Sequence, residues 1–113
     1  MMTKSTTQKA TAIALVGLSF FAFEAAGATA QEQRGRTLAA GLCGGCHATG
    51  KAGISQHIGA PPFRVLDRQL DLDKFGQRLR EGLLGSHRDM PMFRFSRDDA
   101  RALVAYLRSI QGP

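Results

Sequence analysis

The residues with the clearest chemical potential in this sequence are Cys43, Cys46 and His47. Two thiols three positions apart can each form a thioether with one vinyl group of a porphyrin, and the histidine that follows can then bind the iron. Gly44 and Gly45 place nothing bulky between the two thiols. The spacing predicts that Cys43 and Cys46 attach one haem covalently and that His47 is an axial ligand of its iron.

Three other uses of these cysteines agree less well with the sequence. A redox-active dithiol of the thioredoxin kind also has the C-x-x-C spacing, but it lies in a βαβ unit, and this chain has no strand pattern. A zinc site needs four ligands, and His57 and His87 lie at no familiar finger spacing from Cys46. A disulfide across so short a loop would restrict the unfolded chain little. Haem attachment is therefore the preferred interpretation.

The elements that must position this motif are predicted to be helices. A short helix over residues 31–41 leads into Cys43, and a loop rich in glycine and proline follows as far as Phe63. A second helix over residues 74–84 has Asp71 or Asp73 as its N-cap and Gly85 at its end. No repeat or alternating strand pattern is present, so the predicted fold class is all-α.

The clearest helix is the last one. Ser96 is its predicted N-cap, acidic residues occupy its first turn, and Gly112 and Pro113 follow its end. The predicted apolar stripe consists of Ala100, Leu103, Val104, Leu107 and Ile110.

Candidates for the second axial ligand lie between the last two helices. Met90 and Met92 are the methionines outside the N-terminal segment, and His57 and His87 are the nitrogen alternatives. His57 follows His47 too closely to reach the opposite haem face easily, whereas His87 is far enough along the chain. Pro91 favours an extended backbone at residue 90, although residues 90 and 92 of an extended segment point to the same side.

The N-terminus has the pattern of an export signal. Lys4 and Lys9 precede an apolar run over residues 10–23, and Ala28-Thr29-Ala30 supplies the small residues that signal peptidase requires. The run is short for a membrane-spanning helix, so we expect residues 1–30 to be cleaved, leaving a single domain over residues 31–113. A retained anchor is the alternative.

The chain has 113 residues and a net charge of +6. This length allows one domain, and the charge favours a partner with an acidic docking surface. Nucleic acid is a poor partner for an exported chain whose arginines are scattered without interleaved aromatic residues.

Residues 33–110 as a whole resemble a class I monohaem cytochrome c. The resemblance rests on the C-x-x-C-H after an N-terminal helix, the glycine- and proline-containing loop, the late Met90-Pro91, and a C-terminal helix with the sequence Ala-Leu-Val-Ala-Tyr-Leu. It implies a small all-α fold in which three to four helices surround one covalently bound haem c. It also implies that Met90 is the second iron ligand.

Further site residues follow from the same resemblance. A small residue of the first helix, Gly35 or Ala39, would allow close approach of Tyr106 on the last helix. The carbonyl of Pro61 or Pro62 would orient the His47 imidazole. Other residues expected at the haem, through a propionate or in the pocket, are Arg64, Phe63, Phe75, Phe93 and Phe95.

The expected function is periplasmic electron transfer by a monomeric carrier that is not itself an enzyme. It would shuttle electrons between a dehydrogenase or a cytochrome bc-type complex and a terminal oxidase or reductase. One alternative is a dedicated cytochrome subunit of a multisubunit oxidoreductase, with the same haem site. Another is a haem protein with a labile sixth site, which the Met90-Pro91 pair disfavours.

Overall fold

A computed structural model of the chain describes residues 27–82 and 89–112. It contains helix α1 (Ala30–Cys43), a 3₁₀ helix (Phe63–Arg68), helix α2 (Leu72–Glu81) and helix α3 (Arg97–Ile110). No β-strand forms in the described part of the chain, which confirms the predicted all-α class. Residues 1–26 of the predicted export signal lie outside the described residues, as do Gly85 and His87.

Helix α1 is longer at both ends than predicted. It begins after Thr29, whose hydroxyl accepts a hydrogen bond from the Glu32 N–H at 3.1 Å, while the Glu32 carboxylate accepts one from the Thr29 N–H at 3.1 Å. This reciprocal capping box satisfies two N–H groups that the first turn leaves without helical partners. At its other end α1 includes Cys43 as its last residue, so the helix itself carries the first thiol.

Helix α2 begins and ends earlier than the apolar pattern predicted. Of the two candidate caps, Asp71 is the one used, because its carboxylate accepts hydrogen bonds from the N–H groups of Asp73 at 2.8 Å and Lys74 at 3.0 Å. Gly82 ends the helix with a φ of 111°, a conformation that disfavours side chains. The predicted continuation to residue 84 was therefore wrong, because Gly82 interrupts the helix first.

Helix α3 has the predicted N-cap, since Ser96 Oγ accepts a hydrogen bond from the Asp99 N–H at 3.1 Å. Its buried face differs from the predicted stripe at three positions: Ala102 and Tyr106 are buried, and Val104 is only half-buried. Ala102 and Tyr106 are buried because α1 approaches α3 closely at Gly35. The buried residues of α3 are Ala100, Ala102, Leu103, Tyr106, Leu107 and Ile110.

Helices α1 and α3 approach each other closely at Gly35, a residue of α1 without a side chain. A Cβ atom added at Gly35 would lie 2.0 Å from the Ala102 carbonyl oxygen and 2.7 Å from Tyr106 Cβ. Gly35 is therefore the small residue that lets the two backbones approach, while Ala39, one turn further along α1, is fully buried in the core. The crossing fixes the end of α1 that carries the cysteine motif.

The residue after α3 fastens that helix to the 3₁₀ helix. Gln111 Nε2 donates hydrogen bonds to the carbonyl oxygens of Phe63 and Leu107, each at 2.7 Å, and Gln111 Oε1 accepts one from the Asp67 N–H at 3.0 Å. The Gly112 N–H also donates to the Arg64 carbonyl oxygen at 3.0 Å. These bonds hold in place the segment that directly follows Pro61 and Pro62.

Candidate functional site

The cysteine motif forms a tight turn at the end of α1. The N–H groups of Cys46 and His47 both donate to the Cys43 carbonyl oxygen, at 3.2 and 2.9 Å. The backbone therefore folds back directly after the helix and brings the two cysteines and the histidine to the same end of α1. Both thiols are free and half-buried.

The imidazole of His47 is buried, with 8% of its surface exposed, and is held in one orientation. Its Nδ1 lies 2.8 Å from the Pro61 carbonyl oxygen. Because a carbonyl can only accept a hydrogen bond, this contact places the proton on Nδ1 and leaves the lone pair of Nε2 for a metal. Of Pro61 and Pro62, the structure brings Pro61 to His47.

A cavity lies beside this motif, and the segment that precedes α3 forms part of its wall. Met90 is half-buried in this wall, whereas Met92 is 66% exposed and does not line the cavity. The sulfur of Met92 instead lies near Gly82, at the end of α2. The residues that line the cavity are Leu42, Cys43, Gly45, Cys46, His47, His57, Asp89, Met90, Pro91 and Phe93.

The raised pKa of the Cys43 thiol disfavours dithiol redox chemistry. Burial, with a smaller contribution from the charge of neighbouring Cys46, raises the pKa of the Cys43 thiol to about 11. Reactive C-x-x-C pairs work in the opposite way, since a lowered pKa supplies the nucleophilic thiolate near neutral pH. Among the described residues no group of three or more ligating side chains could hold a metal ion directly. The geometry therefore favours haem attachment over the thioredoxin-like and zinc alternatives.

The remaining predicted residues support the site from behind the cavity wall. Phe63 packs against His47 with a ring-centroid distance of 5.0 Å. The Tyr106 hydroxyl donates to the Thr49 carbonyl oxygen at 2.6 Å and so ties α3 to the loop after the motif. Arg64 donates to the Gly53 carbonyl oxygen at 2.9 Å, and it does not line the cavity.

The other aromatic candidates divide between the cavity and the core. Phe93 lines the cavity, Phe95 belongs to the hydrophobic core, and Phe75 is partly buried against that core. Pro62 is the residue that precedes the 3₁₀ helix.

Sequence reasoning missed the acidic partner of His57. The two side chains meet across the cavity mouth, with His57 Nε2 3.2 Å from Asp89 Oδ2. Nothing in the one-dimensional pattern relates residues 32 positions apart, so the only available signal was that Asp89 directly precedes Met90.

The side chains around this cavity fit a c-type haem. The cavity is lined by two cysteines, by an imidazole with a directed lone pair and by one methionine, Met90. These are the donors that attach haem covalently and ligate its iron on both faces.

The comparisons with known proteins agree with this geometry. A family profile described as "Cytochrome C oxidase, cbb3-type, subunit III" matches residues 30–107, most of the chain. The comparison with curated proteins and the comparison with solved structures each gave no significant match. The resemblance to a c-type cytochrome is thus confirmed, and with it a covalent haem c as the cofactor. The chain belongs to the family of the cbb3-type cytochrome c oxidase subunit III, and its domain is a cytochrome c domain that serves haem-based electron transfer.

Proposed function

We propose that this domain transfers single electrons in the periplasm through one haem that Cys43 and Cys46 attach and that His47 and Met90 ligate. The observation that supports the proposal is that His47 and Met90 line the same cavity as the two cysteines. The haem, when bound, supplies reversible exchange between ferric and ferrous iron. With both axial positions filled by protein side chains, no open position remains for oxygen or peroxide.

The protein groups keep the two ligands in place. The Pro61 carbonyl accepts the Nδ1 proton of His47, which fixes the ring and raises the basicity of the opposite nitrogen. Hydrogen bonds from the Ala48 N–H to Ser55 Oγ at 3.0 Å and from the Phe63 N–H to the Ala48 carbonyl at 2.9 Å brace the intervening loop. A braced ligand moves little when the iron changes charge, which favours rapid electron exchange.

The location and partners belong to the same proposal. We infer that residues 1–30 are an export signal and that residues 31–113 act as a monomer outside the cytoplasm, toward a redox partner with an acidic docking surface. Residues 31–113 contain 13 lysines and arginines against 8 aspartates and glutamates, and this net charge of +5 supports such a partner. Within the described residues, none of the helices has the length and apolar character needed to cross a bilayer.

The experiment that tests the axial ligand compares Met90→Ala with Met92→Ala in the purified holoprotein. Methionine-ligated ferric haem has a weak charge-transfer band in the red, so we expect Met90→Ala to abolish it and Met92→Ala to keep it. Retention of the band in Met90→Ala, with its loss in Met92→Ala, would overturn the assignment. A pyridine haemochrome assay on both variants verifies that each still carries haem.

A second candidate function is that of a fixed cytochrome subunit in a terminal oxidase complex. The family description favours it, because it names a subunit of such a complex. The two functions share one haem site and differ in how the partner is held. Purification from membranes in mild detergent separates them: a stable complex indicates the subunit, and a freely exchanging monomer indicates the carrier.

A further inference from the structure

A second concave surface lies between α2 and α3, away from the cysteine motif. It is a groove of about 640 Å³ that has no lining residue in common with the haem cavity. One face of each helix forms it, together with Gln31 from the start of α1. The groove residues are Asp73, Gly76, Gln77 and Arg80 from α2, and Arg97, Ala100, Arg101, Val104, Ala105 and Arg108 from α3.

Two contacts establish how the groove is arranged. Arg108, near the end of α3, forms an ion pair with Asp73, near the start of α2. One turn further along α2, a Cβ atom added at Gly76 would lie 3.0 Å from Val104 Cγ2. The two helices therefore run antiparallel, and Arg80 at the end of α2 lies beside the first half of α3.

Positive charge consequently accumulates at one end of the groove. Arg80, Arg97 and Arg101 are exposed. Within residues 27–82 and 89–112 none of their guanidinium groups forms a hydrogen bond or an ion pair. Asp73, the one carboxylate of the lining, is paired with Arg108 at the opposite end.

The surrounding backbone adds to this charge. The N-terminus of α3 contributes the positive end of its helix dipole on the Arg97 side. Asp99 in the first turn does not offset the three guanidinium groups, because it pairs with Arg34 of α1 at 2.6 Å. Asp98 is exposed and lies outside the lining.

The floor of the groove is apolar and is formed by small side chains. Gly76, Ala100 and Ala105 are small, and Val104 is half-buried between the two helices. From Arg97 to Arg108 the floor extends over about 16 Å at a rise of about 1.5 Å per residue. A polypeptide segment can enter such a depression, whereas a flat lipid surface contacts only its edges.

We propose that this arginine groove, defined by Arg80, Arg97 and Arg101 over the small-residue floor, binds an acidic segment of a partner protein. Planar guanidinium groups bind carboxylates with two parallel hydrogen bonds, which favours aspartate or glutamate side chains as the anions. The chain's own N-terminal residues 1–26 have the wrong charge, with Lys4 and Lys9 against Glu24. A second copy of residues 31–113 carries a net charge of +5 and is repelled.

Docking at this groove would leave the haem cavity accessible, so a partner could remain bound while another redox protein reacts at the haem. The proposal rests on the acidic-partner part of the proposed function and is independent of iron ligation. A wrong assignment of Met90 would leave it standing, because the two surfaces share no residue.

The test uses the holoprotein and a fluorescein-labelled helical peptide of glutamate and alanine, about twelve residues long to match the groove. The groove variant carries Arg80→Gln, Arg97→Gln and Arg101→Gln. The control variant removes the same charge at exposed positions outside the groove, with Arg36→Gln, Lys51→Gln and Arg78→Gln. Binding is followed by anisotropy at low ionic strength, where charge contacts are least screened.

We expect the groove variant to raise the peptide Kd about tenfold and the control variant to change it less than about twofold. The haem absorption spectrum of both should match that of the parent, which separates this result from a failure of the haem site. An equal loss of peptide affinity in the two variants, or no loss in the groove variant, would overturn the proposal. Anionic phospholipid vesicles in place of the peptide form the other arm, and groove-dependent vesicle binding without peptide binding would replace the protein partner by a lipid surface.

If the triple groove variant does not give folded holoprotein, Arg97→Gln with Arg101→Gln is compared with Arg36→Gln and Arg78→Gln. Both double variants remove two positive charges and retain Arg80. The double groove variant should therefore still have a higher peptide Kd than its control.

Discussion

His57 and Asp89 connect two segments that line the haem cavity, with His57 Nε2 3.2 Å from Asp89 Oδ2. The backbone N–H of His57 donates to the Cys46 carbonyl oxygen at 3.1 Å, so His57 is held next to the cysteine motif. Asp89 directly precedes Met90 in the other segment. The contact therefore restrains the methionine segment against the attachment motif.

If Met90 ligates the iron as proposed, removal of this contact should weaken that ligation without removing the haem. We expect Asp89→Ala to increase the affinity of the ferric protein for added imidazole two- to fivefold, because a partly exposed pair contributes at most about 1 kcal/mol. Asp89→Asn retains an oxygen acceptor and should lie between the parent and Asp89→Ala. Asp98→Ala, which removes an exposed carboxylate outside the cavity lining, is the control and should leave imidazole affinity unchanged.

The glycines of α1 allow a matched test of helix packing. Gly35→Ala should destabilise the fold by about 1–3 kcal/mol, because the new Cβ would overlap the Ala102 carbonyl of α3. Gly41→Ala meets nothing within 4 Å and should stabilise the same helix by up to about 1 kcal/mol. Urea unfolding of the two holoproteins provides the measurement. Equal stability of the two variants would contradict the close approach of α1 and α3.

The Tyr106 hydroxyl provides a test of how α3 holds the loop. Tyr106→Phe removes the hydrogen bond to the Thr49 carbonyl and should lower the free energy of unfolding by about 1 kcal/mol, since the ring still packs. We expect faster amide hydrogen exchange in residues 48–60 and no change in α2. A uniform increase in exchange over the whole domain would indicate a general loss of stability instead.

The cap of α2 predicts a pH dependence of stability. The Lys74 N–H, followed by the Asp73 N–H and nearby positive charges, lowers the pKa of Asp71 below its usual value. A carboxyl group with a lowered pKa in the folded state stabilises the fold above its unfolded pKa, and this contribution is lost as pH falls through the folded pKa. Asp71→Ala should therefore lower the melting temperature at neutral pH, and the difference from the parent should shrink in acid. A difference that grows in acid would contradict the role of the ionised cap.

The parts of this protein that the sequence predicted well are those with local signals. Ser96 and Asp71 were identified as caps, or as one of two candidates, because capping depends on neighbouring residues alone. The end of α2 was placed too late, because the apolar spacing of the sequence continues to Leu83, whereas the helix ends at Gly82 with a φ of 111°. Local periodicity contains no information about the φ of a glycine.

The candidate site also contains residues that local spacing predicts and contacts that depend on the folded structure. The spacing of Cys43, Cys46 and His47 was enough to predict a covalent haem c, which the family match supports, whereas the choice between Pro61 and Pro62 depended on which carbonyl the loop presents to His47 Nδ1. The partner of His57 and the role of Gln111 depend on contacts between distant residues. Such contacts exist only after the helices have packed.

The bonds of Gln111 have a consequence for the order in which the site can form. The 3₁₀ helix that follows Pro61 is fastened by Gln111, which follows the last helix of the domain. In an unfolded chain these bonds are absent, so the Pro61 carbonyl does not yet fix the orientation of the His47 imidazole. Haem attachment to the cysteines of such a chain can therefore precede the alignment of His47, and folding of the C-terminal residues onto the 3₁₀ helix completes the site.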